Sequence, residues 1–287
     1  MKIKKAVIVA AGLGTRMLPA SKVIPKEILP VIDTPAIQLV VEEAVASGIE
    51  EVIVVVAPGR TTVLEHFKPA EQLERHLEER GKHDMLETVR RPNRLARFTI
   101  AEQERPLGLG HAVLQARAAV GGEPFAVMLP DDIFDCEQPC LGQLIAAAEA
   151  KESPVVALLR VAHSEIPKYG IVSARTAGER LFELTGMVEK PSVEKAPSDL
   201  AIMGRYVLTP DIFDLLESGK PGAGGEIQLT DGLMALAQRR KLYGYEFDGI
   251  RYDLGDRAGF IAAQVGFGLK RPDIAPKLRE YLKSISL

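Results

Sequence analysis

In the first half of the chain, short apolar runs alternate with segments of helical apolar spacing. Residues 6–11, AVIVAA, form a continuous apolar run, which is typical of a strand buried on both faces. A helical pattern then follows, and we expect Thr34 to cap it, Pro35 to occupy its first position and Gly48 to end it. The next apolar run covers 52–57. Strand, helix and strand in this order predict a βαβ unit with parallel strands.

A charged segment at 59–94 interrupts this alternation. Its central stretch, EQLERHLEERGKHDMLETVRR, carries only sparse apolar residues at helical spacing, which predicts a surface helical excursion broken near Gly81. A strand at 98–102 and a helix opening in LGLGHAV then resume the pattern. The sequence PFAVMLPDD predicts another buried strand.

The second half of the chain predicts further strands and two closing helices. The candidate strands lie at 155–161, 170–173, 182–188, 204–208 and 242–247, with helices near 210–217 and 228–239. The closing helices, near 256–269 and 274–284, suggest a C-terminal appendage at 256–287. No linker divides the chain, so we expect an α/β protein with one domain at 1–287 and a mixed, mostly parallel sheet flanked by helices.

Composition narrows the function. The 287 residues are 46% apolar and 26% charged, as in a soluble globular protein. A net charge of −3 without a Lys/Arg-rich run favours neither a nucleic-acid nor a membrane partner. Cys136 and Cys140 are too few for a disulfide framework, so we expect a cytoplasmic protein.

The loop after the first strand, AGLGTR, matches neither standard phosphate motif. Gly12 and Gly14 supply the first two glycines of a dinucleotide fingerprint, but the third position is Met17, and no Walker lysine follows. Glycine still lets backbone N–H groups approach an anion closely, and Arg16 adds a fork suited to phosphate oxygens. This stretch therefore indicates either a phosphate loop of a third kind or an ordinary glycine turn with a solvated arginine.

Charged residues follow other apolar runs in the same way, where ligands of open α/β sheets bind. Asp131 and Asp132 end one run, and Asp253 ends another. Such carboxylates can hold Mg²⁺ together with substrate phosphates, although either aspartate of the first pair can instead cap a turn. We expect one of that pair to bind the metal.

Three cations, Arg16, Lys22 and Lys26, lie on one proline-braced loop and suit a triphosphate, although Lys22 alone is more simply a solvated lysine. Glu189 and Lys190 pair a carboxylate for sugar hydroxyls with an ammonium for a phosphate. No convincing general base or protein nucleophile is present. A dianionic phosphate monoester needs no base in order to attack another phosphorus, so alignment and charge neutralisation suffice for such a transfer.

Eight stretches, in order along nearly the whole chain, closely resemble the bacterial UTP–glucose-1-phosphate uridylyltransferases (UDP-glucose pyrophosphorylases) of the sugar-nucleotidyltransferase family. They are AGLGTRMLPASKVIPKEILPVIDTPAIQLVVEEAVASGI, GLGHAV, LPDD, YGIV, VEKP, APSDLAIMGRYVL, GGEIQLTDGL and RYDLGD. The long TRMLPASKVIPKE form and the charged excursion differ from the shorter thymidylyltransferases. Ser21 and Val23 stand where family members often carry Thr and Ala, and both changes are conservative.

The resemblance implies a Rossmann-like nucleotidyltransferase fold and a Mg²⁺-dependent transfer from UTP to glucose 1-phosphate that gives UDP-glucose and pyrophosphate. It implies a homodimer or homotetramer. It places the nucleotide against Ala11, Gly12, Gly14, Arg16, Lys26, Glu27, Gln103 and Gly108. It places the sugar phosphate against Gly170, Glu189, Lys190 and Gly204. Arg16, Lys26 and Lys190 are the catalytic cations, and Asp131 and Asp253 the metal ligands.

The motifs leave other functions open. A thymidylyltransferase using dTTP, or an enzyme for another hexose 1-phosphate, fits the same motifs. A nucleotide-dependent oxidoreductase is disfavoured, because the third glycine is missing and Ala57 and Pro58 replace an acidic residue after the second strand. A catalytically inactive nucleotide-sugar sensor is disfavoured by the joint presence of Arg16, Lys26, Asp131, Lys190 and Asp253.

Overall fold

The computed structural model describes residues 1–219 and 225–285. Within them the strands are β1 (Lys5–Ala10), β2 (Pro30–Val31), β3 (Thr34–Pro35), β4 (Glu51–Val56), β5 (Arg97–Glu102), β6 (Phe125–Met128), β7 (Asp132–Asp135), β8 (Val155–Arg160), β9 (Gly170–Gly178), β10 (Leu181–Glu189), β11 (Leu200–Leu208), β12 (Tyr243–Glu246) and β13 (Ile250–Asp253). The helices are α1 (Ala36–Ala46), α2 (Thr62–Glu65), α3 (Glu71–Glu79), α4 (His83–Arg90), α5 (Leu109–Gln115), α6 (Arg117–Val120), α7 (Cys140–Lys151), α8 (Asp211–Ser218), α9 (Leu229–Arg239), α10 (Arg257–Gly268) and α11 (Ala275–Ser284).

A nine-stranded sheet, in the order β5-β4-β1-β6-β11-β8-β12-β10-β9, forms the centre of the protein. The first four strands in this order are mutually parallel, and β8 is parallel to β12. Only β10 and β11 run against the other strands of this sheet. The predicted mixed sheet is therefore confirmed, with seven of its nine strands running in one direction. Buried apolar clusters cover both faces, one contributed largely by α1 and α7 and the other by α5, α8 and α9.

The far half of the sheet closes on itself. Strand β11 pairs with β9 as well as with β6 and β8, through Ala201 and Ile171. Strands β11, β8, β12, β10 and β9 therefore form a ring, which brings the start of β9 and the end of β10 beside the start of β11. A flat sheet would leave these residues at its outer edge. The sequence pattern predicted the strands but not this closure.

The predicted elements occur, with differences at their ends. Helix α1 begins at Ala36 without a side-chain cap, so the prediction that Thr34 caps it is wrong. Thr34 instead pairs with Val31 in the short β2–β3 ladder. The excursion contains α2, α3 and α4. The last two are joined through Gly81, as predicted, and Arg90 binds Glu74 across them at 2.8 Å. None of the helices in the described ranges is long and apolar enough to cross a membrane.

The first closing helix is tied to the body of the protein. Gln264 on α10 accepts a hydrogen bond from the Ile32 N–H at 2.7 Å and donates one to the Pro30 carbonyl at 2.7 Å. Helix α10 also packs on β13. Helix α11 contacts α10 and carries no fully buried residue.

A buried ion pair fixes the turn that follows β6. Arg205 on β11 is fully buried, and Glu43 on α1 accepts hydrogen bonds from its Nε and its Nη2, the latter at 2.7 Å. The same guanidinium donates to the carbonyls of Leu129, Gly204 and Asp132 at 2.9, 3.2 and 2.9 Å. Glu43 also accepts the Leu141 N–H at 3.0 Å. The turn at 129–132 is thus held by its backbone, whatever its side chains bind.

Removing Glu43 tests this arrangement. Glu43→Ala leaves the Arg205 charge buried without its partner, so we expect a loss of about 3–5 kcal/mol in the free energy of unfolding. Glu42→Ala, on the same helix and paired with the more exposed Arg91 at 3.0 Å, is the control and should cost less than about 1 kcal/mol. Urea denaturation followed by circular dichroism measures both values. Equal losses of unfolding free energy in Glu43→Ala and Glu42→Ala would contradict the role of Glu43 as the partner of the buried Arg205.

Candidate active site

A cavity of about 420 Å³ opens where the tip of β6 meets the ring of strands. It is lined by eight of the residues that the sequence singled out: Arg16, Asp131, Asp132, Gly170, Glu189, Lys190, Gly204 and Asp253. It is also lined by residues to which sequence reasoning gave no role, notably Lys168, Tyr169, Thr230 and Arg251. Charged groups from both halves of the chain thus share one cavity.

The loop at 11–16, AGLGTR, which we call the glycine loop, lines a second, smaller cavity. This cavity, of about 190 Å³, is lined by Gly14, Thr15, Arg16, Met17, Lys26 and Gly255. Gly14 adopts the left-handed conformation with φ 67°, which glycine takes without strain, and its carbonyl accepts the Ser21 hydroxyl at 2.7 Å. Arg16 lines both cavities, and its guanidinium Nη2 lies beside Gly255, which lines the smaller one.

Lys26 connects this loop to the tip of β6. Its ammonium lies 2.6 Å from Oδ2 of Asp131. Burial alone would lower the pKa of Lys26, but Asp131 and Glu27 raise it above its ordinary value. Burial likewise works to raise the pKa of Asp131, and Lys26 reverses this effect and holds that pKa below its usual range. Both groups are therefore charged at neutral pH.

Three charged side chains converge on Gly255. A Cβ at this glycine would lie 2.7 Å from Nη2 of Arg16, 3.0 Å from Oδ1 of Asp253 and 3.1 Å from Oδ2 of Asp131. Only a residue without a side chain leaves this space open. The two aspartates that the sequence assigns to a metal thus lie close together beside the glycine loop. Among residues 1–219 and 225–285, no group of three or more His, Cys, Asp or Glu side chains is arranged to hold a metal ion.

Asp132 faces the interior rather than the glycine loop. It is 5% exposed, and its Oδ2 accepts the Gly204 N–H at 3.0 Å. Burial raises its pKa to about 6, and Arg251 opposes this rise. A Cβ on Gly204 would lie 2.2 Å from Asp132 Oδ2, so this close approach requires glycine. Of the two candidate aspartates, only Asp131 therefore lies beside Arg16 and Lys26.

The predicted sugar-phosphate residues Gly170, Glu189 and Lys190 line another part of the large cavity. Glu189 accepts a hydrogen bond from the Thr230 hydroxyl at 2.6 Å, and its other oxygen lies 3.4 Å from the Lys190 ammonium. A Cβ on Gly170 would lie 3.2 Å from Glu189 Oε2. The side chain of Lys190 is 57% exposed, so its charge can reach a ligand in the cavity.

The predicted base-binding residues lie outside the large cavity. Gln103 is buried, and its Nε2 donates to the Gly108 carbonyl at 3.1 Å and lies 3.0 Å from His111 Nδ1. Gly108 has φ 104°, and a Cβ there would lie 2.8 Å from the Ile227 carbonyl. In this structure both residues are thus engaged within the protein. Ala11 and Gly12 lie at the end of β1, and a Cβ on Gly12 would lie 3.9 Å from the Lys26 ammonium.

Sequence comparison assigns the family. The sequence model of the family described as Nucleotidyl transferase matches residues 5–267. The chain belongs to the nucleotidyl transferase family. A UTP–glucose-1-phosphate uridylyltransferase of Staphylococcus saprophyticus is 46% identical to it over 286 residues, which cover 100% of both chains.

Solved structures agree with the nucleotidyl transferase assignment. A UDP-glucose pyrophosphorylase complexed with UDP-glucose is 39% identical, has a TM-score of 0.86, and matches 94% of this chain and 100% of its own. A UTP-bound UGPase from Acinetobacter baumannii is 35% identical, has a TM-score of 0.90, and matches 99% of this chain and 100% of its own. The predicted nucleotidyltransferase fold is thereby confirmed.

Glu27 gives this nucleotidyl transferase an unusual carboxyl group. It is 3% exposed, its Oε1 has no hydrogen-bond partner, and burial raises its pKa to about 7. Because the folded protein binds this proton more tightly than the unfolded chain does, stability falls as pH rises from about 4.5 to about 7. Above pH 7 the buried charge costs up to about 3 kcal/mol of stability.

We therefore expect Glu27→Gln to gain stability relative to wild type as the pH increases. The difference in free energy of unfolding between the two proteins should rise between pH 5 and pH 8 by up to about 3 kcal/mol. Glu137→Gln, at an exposed position, is the control and should show no such trend. Urea denaturation at several pH values measures the differences. A constant difference across this range would contradict a raised pKa at Glu27.

Proposed function

We propose that this protein transfers the uridylyl group of UTP to glucose 1-phosphate, giving UDP-glucose and pyrophosphate. The position of Arg16 carries the proposal. This residue lines both the small cavity of the glycine loop and the large cavity that holds Glu189 and Lys190. A nucleotide in the first cavity and a sugar phosphate in the second would bring their phosphates together at its guanidinium.

The relatives support the identity of the substrates. The curated relatives that are 43–46% identical over essentially the full chain are named UTP–glucose-1-phosphate uridylyltransferases. The dTTP alternative and a different hexose 1-phosphate are correspondingly disfavoured. The solved relatives hold UTP in one case and UDP-glucose in another, a substrate and a product of the proposed reaction.

On the donor side, Arg16 and Lys26 would neutralise the triphosphate. Backbone N–H groups around Gly12 and Gly14 approach it without a Cβ in the way. As the bond to the β-phosphate breaks, charge accumulates on the departing pyrophosphate. A fixed guanidinium stabilises that charge without having to reorganise. Ala11, Glu27, Gln103 and Gly108 stay predicted nucleotide contacts.

On the acceptor side, the phosphate of glucose 1-phosphate is itself the nucleophile. It is largely dianionic at neutral pH, so it attacks the α-phosphorus without a protein base. Lys190 would offset the repulsion between this dianion and the triphosphate. Glu189, held by the Thr230 hydroxyl at 2.6 Å, would accept hydrogen bonds from sugar hydroxyls beside Gly170 and Gly204.

We also propose that the reaction uses Mg²⁺ held by Asp131 and Asp253. Their oxygens both face the space above Gly255, and two carboxylates with bound phosphate oxygens are the donor set that Mg²⁺ prefers. When bound, the ion would withdraw charge from the phosphates. For assembly we propose a homodimer or homotetramer through α10 and α11, which expose Ile261 and Tyr281.

A pyrophosphate-release assay with each nucleoside triphosphate against a panel of sugar 1-phosphates tests the reaction. We expect the highest kcat/KM with UTP and glucose 1-phosphate. Relative to UTP, dTTP carries an additional methyl group on the base and lacks the ribose 2′-hydroxyl. One methyl group alone is discriminated by about 10–200-fold, so dTTP should react at least about tenfold more slowly than UTP. Equal or higher kcat/KM with dTTP, or with another hexose phosphate, would overturn the substrate assignment.

Lys190→Ala tests the acceptor side. Because charge-assisted hydrogen bonds contribute about 1.5–3 kcal/mol, we expect the KM for glucose 1-phosphate to rise about ten- to hundredfold. The Kd for UTP, measured by calorimetry, should stay nearly unchanged. Lys190→Arg should rescue poorly, because a planar fork replaces a compact ammonium.

Lys195→Ala, at an exposed position five residues further on, is the control for Lys190 and should leave both constants unchanged. If Lys190→Ala weakened UTP binding and spared glucose 1-phosphate, Lys190 would belong to the other substrate.

A further inference from the structure

Arg251 lies in the wall of the large cavity, yet the transfer described above gives it no part. It is on β13, two residues before Asp253, and its side chain is only 10% exposed. Residues two apart on a strand project from the same face, so Arg251 and Asp253 point the same way. A buried arginine in a cavity that binds anions requires an explanation.

The contacts of Arg251 spread its charge over three side chains. Nε donates to Oδ1 of Asp132 at 2.6 Å, and Nη2 contacts the same oxygen. Nη2 also donates to Oδ2 of Asp253 at 3.2 Å, and Nη1 donates to the Tyr169 hydroxyl at 2.9 Å. The guanidinium lies over the Tyr169 ring, 5.1 Å from its centre. Its position is therefore set from three directions.

The register of β7 and β13 brings two carboxylates close together next to Arg251. Strands β7 and β13 are antiparallel, and Asp253 lies directly opposite Asp132. Side chains directly opposite each other share a face, and like charges there repel. Asp131 adds a third carboxylate next in sequence. Without a cation between them, Asp132 and Asp253 would repel each other and would also repel a phosphate in the cavity.

The two aspartates accept hydrogen bonds from different backbone segments around the cavity. Asp132 accepts the Gly204 N–H at 3.0 Å on the wall that we assign to the sugar phosphate. Asp253 accepts the Gly255 N–H at 2.9 Å on the side of Arg16. Arg251 joins these two carboxylates, so it couples the geometry of one wall to that of the other.

We propose that Arg251 is a positioning residue for the sugar-phosphate half of the site. It neutralises the facing Asp132 and Asp253, keeps Asp132 on the Gly204 N–H, and so lets a sugar phosphate enter beside carboxylates that would otherwise repel it. It acts through these aspartates rather than as a ligand of the phosphate. The inference rests on the proposed function, since it assigns a sugar phosphate to this wall.

Variants that change the charge balance distinguish neutralisation of the aspartates by Arg251 from direct binding of the phosphate by Arg251. Arg251→Met removes one positive charge and leaves Asp132 uncompensated. Asp132→Asn in the same protein removes the matching negative charge, and the amide oxygen can still accept the Gly204 N–H. If Arg251 acts by neutralising the aspartates, the double variant should recover the affinity for UDP-glucose that the single variant loses. If Arg251 binds the phosphate itself, adding Asp132→Asn should not restore the affinity for UDP-glucose. A double-mutant cycle measures this coupling directly.

The readout is the Kd of two ligands, measured by calorimetry. UDP-glucose carries the sugar and its phosphate, whereas UMP carries only the nucleoside and its own phosphate. For Arg251→Met we expect the Kd of UDP-glucose to rise about tenfold or more and that of UMP to change less than about threefold. Arg251→Met/Asp132→Asn should return the Kd of UDP-glucose to within about threefold of wild type. Arg251→Lys, which keeps a point charge, should lie between wild type and Met.

Arg160→Met is the matched control. Arg160 also contacts two carboxylates, Asp199 at 2.8 Å and Glu246 at 3.4 Å, but its side chain is 51% exposed and does not line the cavity. Both Kd values should stay at the wild-type level. If Arg251→Met does not fold, the double variant carries the test, because it loses one positive and one negative charge and so keeps the net charge of the wild-type site.

Three results would overturn the inference: equal losses for UDP-glucose and UMP, no recovery in the double variant, or a wild-type Kd for UDP-glucose in Arg251→Met. The proposed function fails separately, if the wild-type protein releases no pyrophosphate from UTP and glucose 1-phosphate.

Discussion

The buried guanidinium of Arg205 holds the turn on which both walls of the site depend. Its donors reach the carboxylate of Glu43 and three carbonyls, those of Leu129, Gly204 and Asp132. A fully buried charge is tolerated only where such partners satisfy it. Because the contacts to the turn are all to backbone, they fix where Asp131 and Asp132 begin without engaging their side chains. One carboxylate is therefore free to face Lys26 while its neighbour faces Gly204 and Arg251.

This division solves an electrostatic problem of the proposed chemistry. The site must accept two highly charged anions, yet it also contains the carboxylates that a divalent cation would need. The structure pairs each carboxylate with a cation: Asp131 with Lys26, Asp132 and Asp253 with Arg251, and Glu189 with Lys190. Such pairing lets carboxylates remain ionised in a partly buried cavity without making it repel phosphates. The pKa of Asp131 is lowered and that of Asp132 is raised, which reflects the different surroundings of the two carboxylates.

Much of the fold could be predicted from sequence because it rests on local patterns. Apolar runs such as 6–11 and 52–57 mark buried strands, and glycine at 81 marks the break in the charged excursion. What could not be predicted depends on register and on distant partners. Glu43 and Arg205 are 162 positions apart, and only the sheet order brings them together. The ring closed by Ala201 and Ile171 likewise leaves no trace in either strand's own pattern.

Within the site, the residues that could be predicted from sequence are likewise those with a local sequence signal. Arg16, Asp131 and Lys190 follow apolar runs, so their place at strand ends was readable. Arg251 was missed, although its spacing of two from Asp253 in RYD was an available signal that both share a face. Tyr169 and Thr230 carry no such mark, because their roles arise from contacts with Arg251 and Glu189 that form only in the folded ring.

Lys190 shows how the fold supports a strained residue where charge is needed. Its backbone has φ 46°, a left-handed conformation that costs a residue with a side chain roughly 1–3 kcal/mol. The pairing of β9 with β10 runs up to Glu189 opposite Gly170, and the Lys190 N–H then donates to the Tyr169 carbonyl at 3.0 Å. These bonds hold the conformation in place. Strand pairing keeps Glu189 against Thr230, and the turn at the next residue directs the Lys190 ammonium to the same cavity. A carboxylate for hydroxyls and a cation for a phosphate thereby become neighbours on one wall.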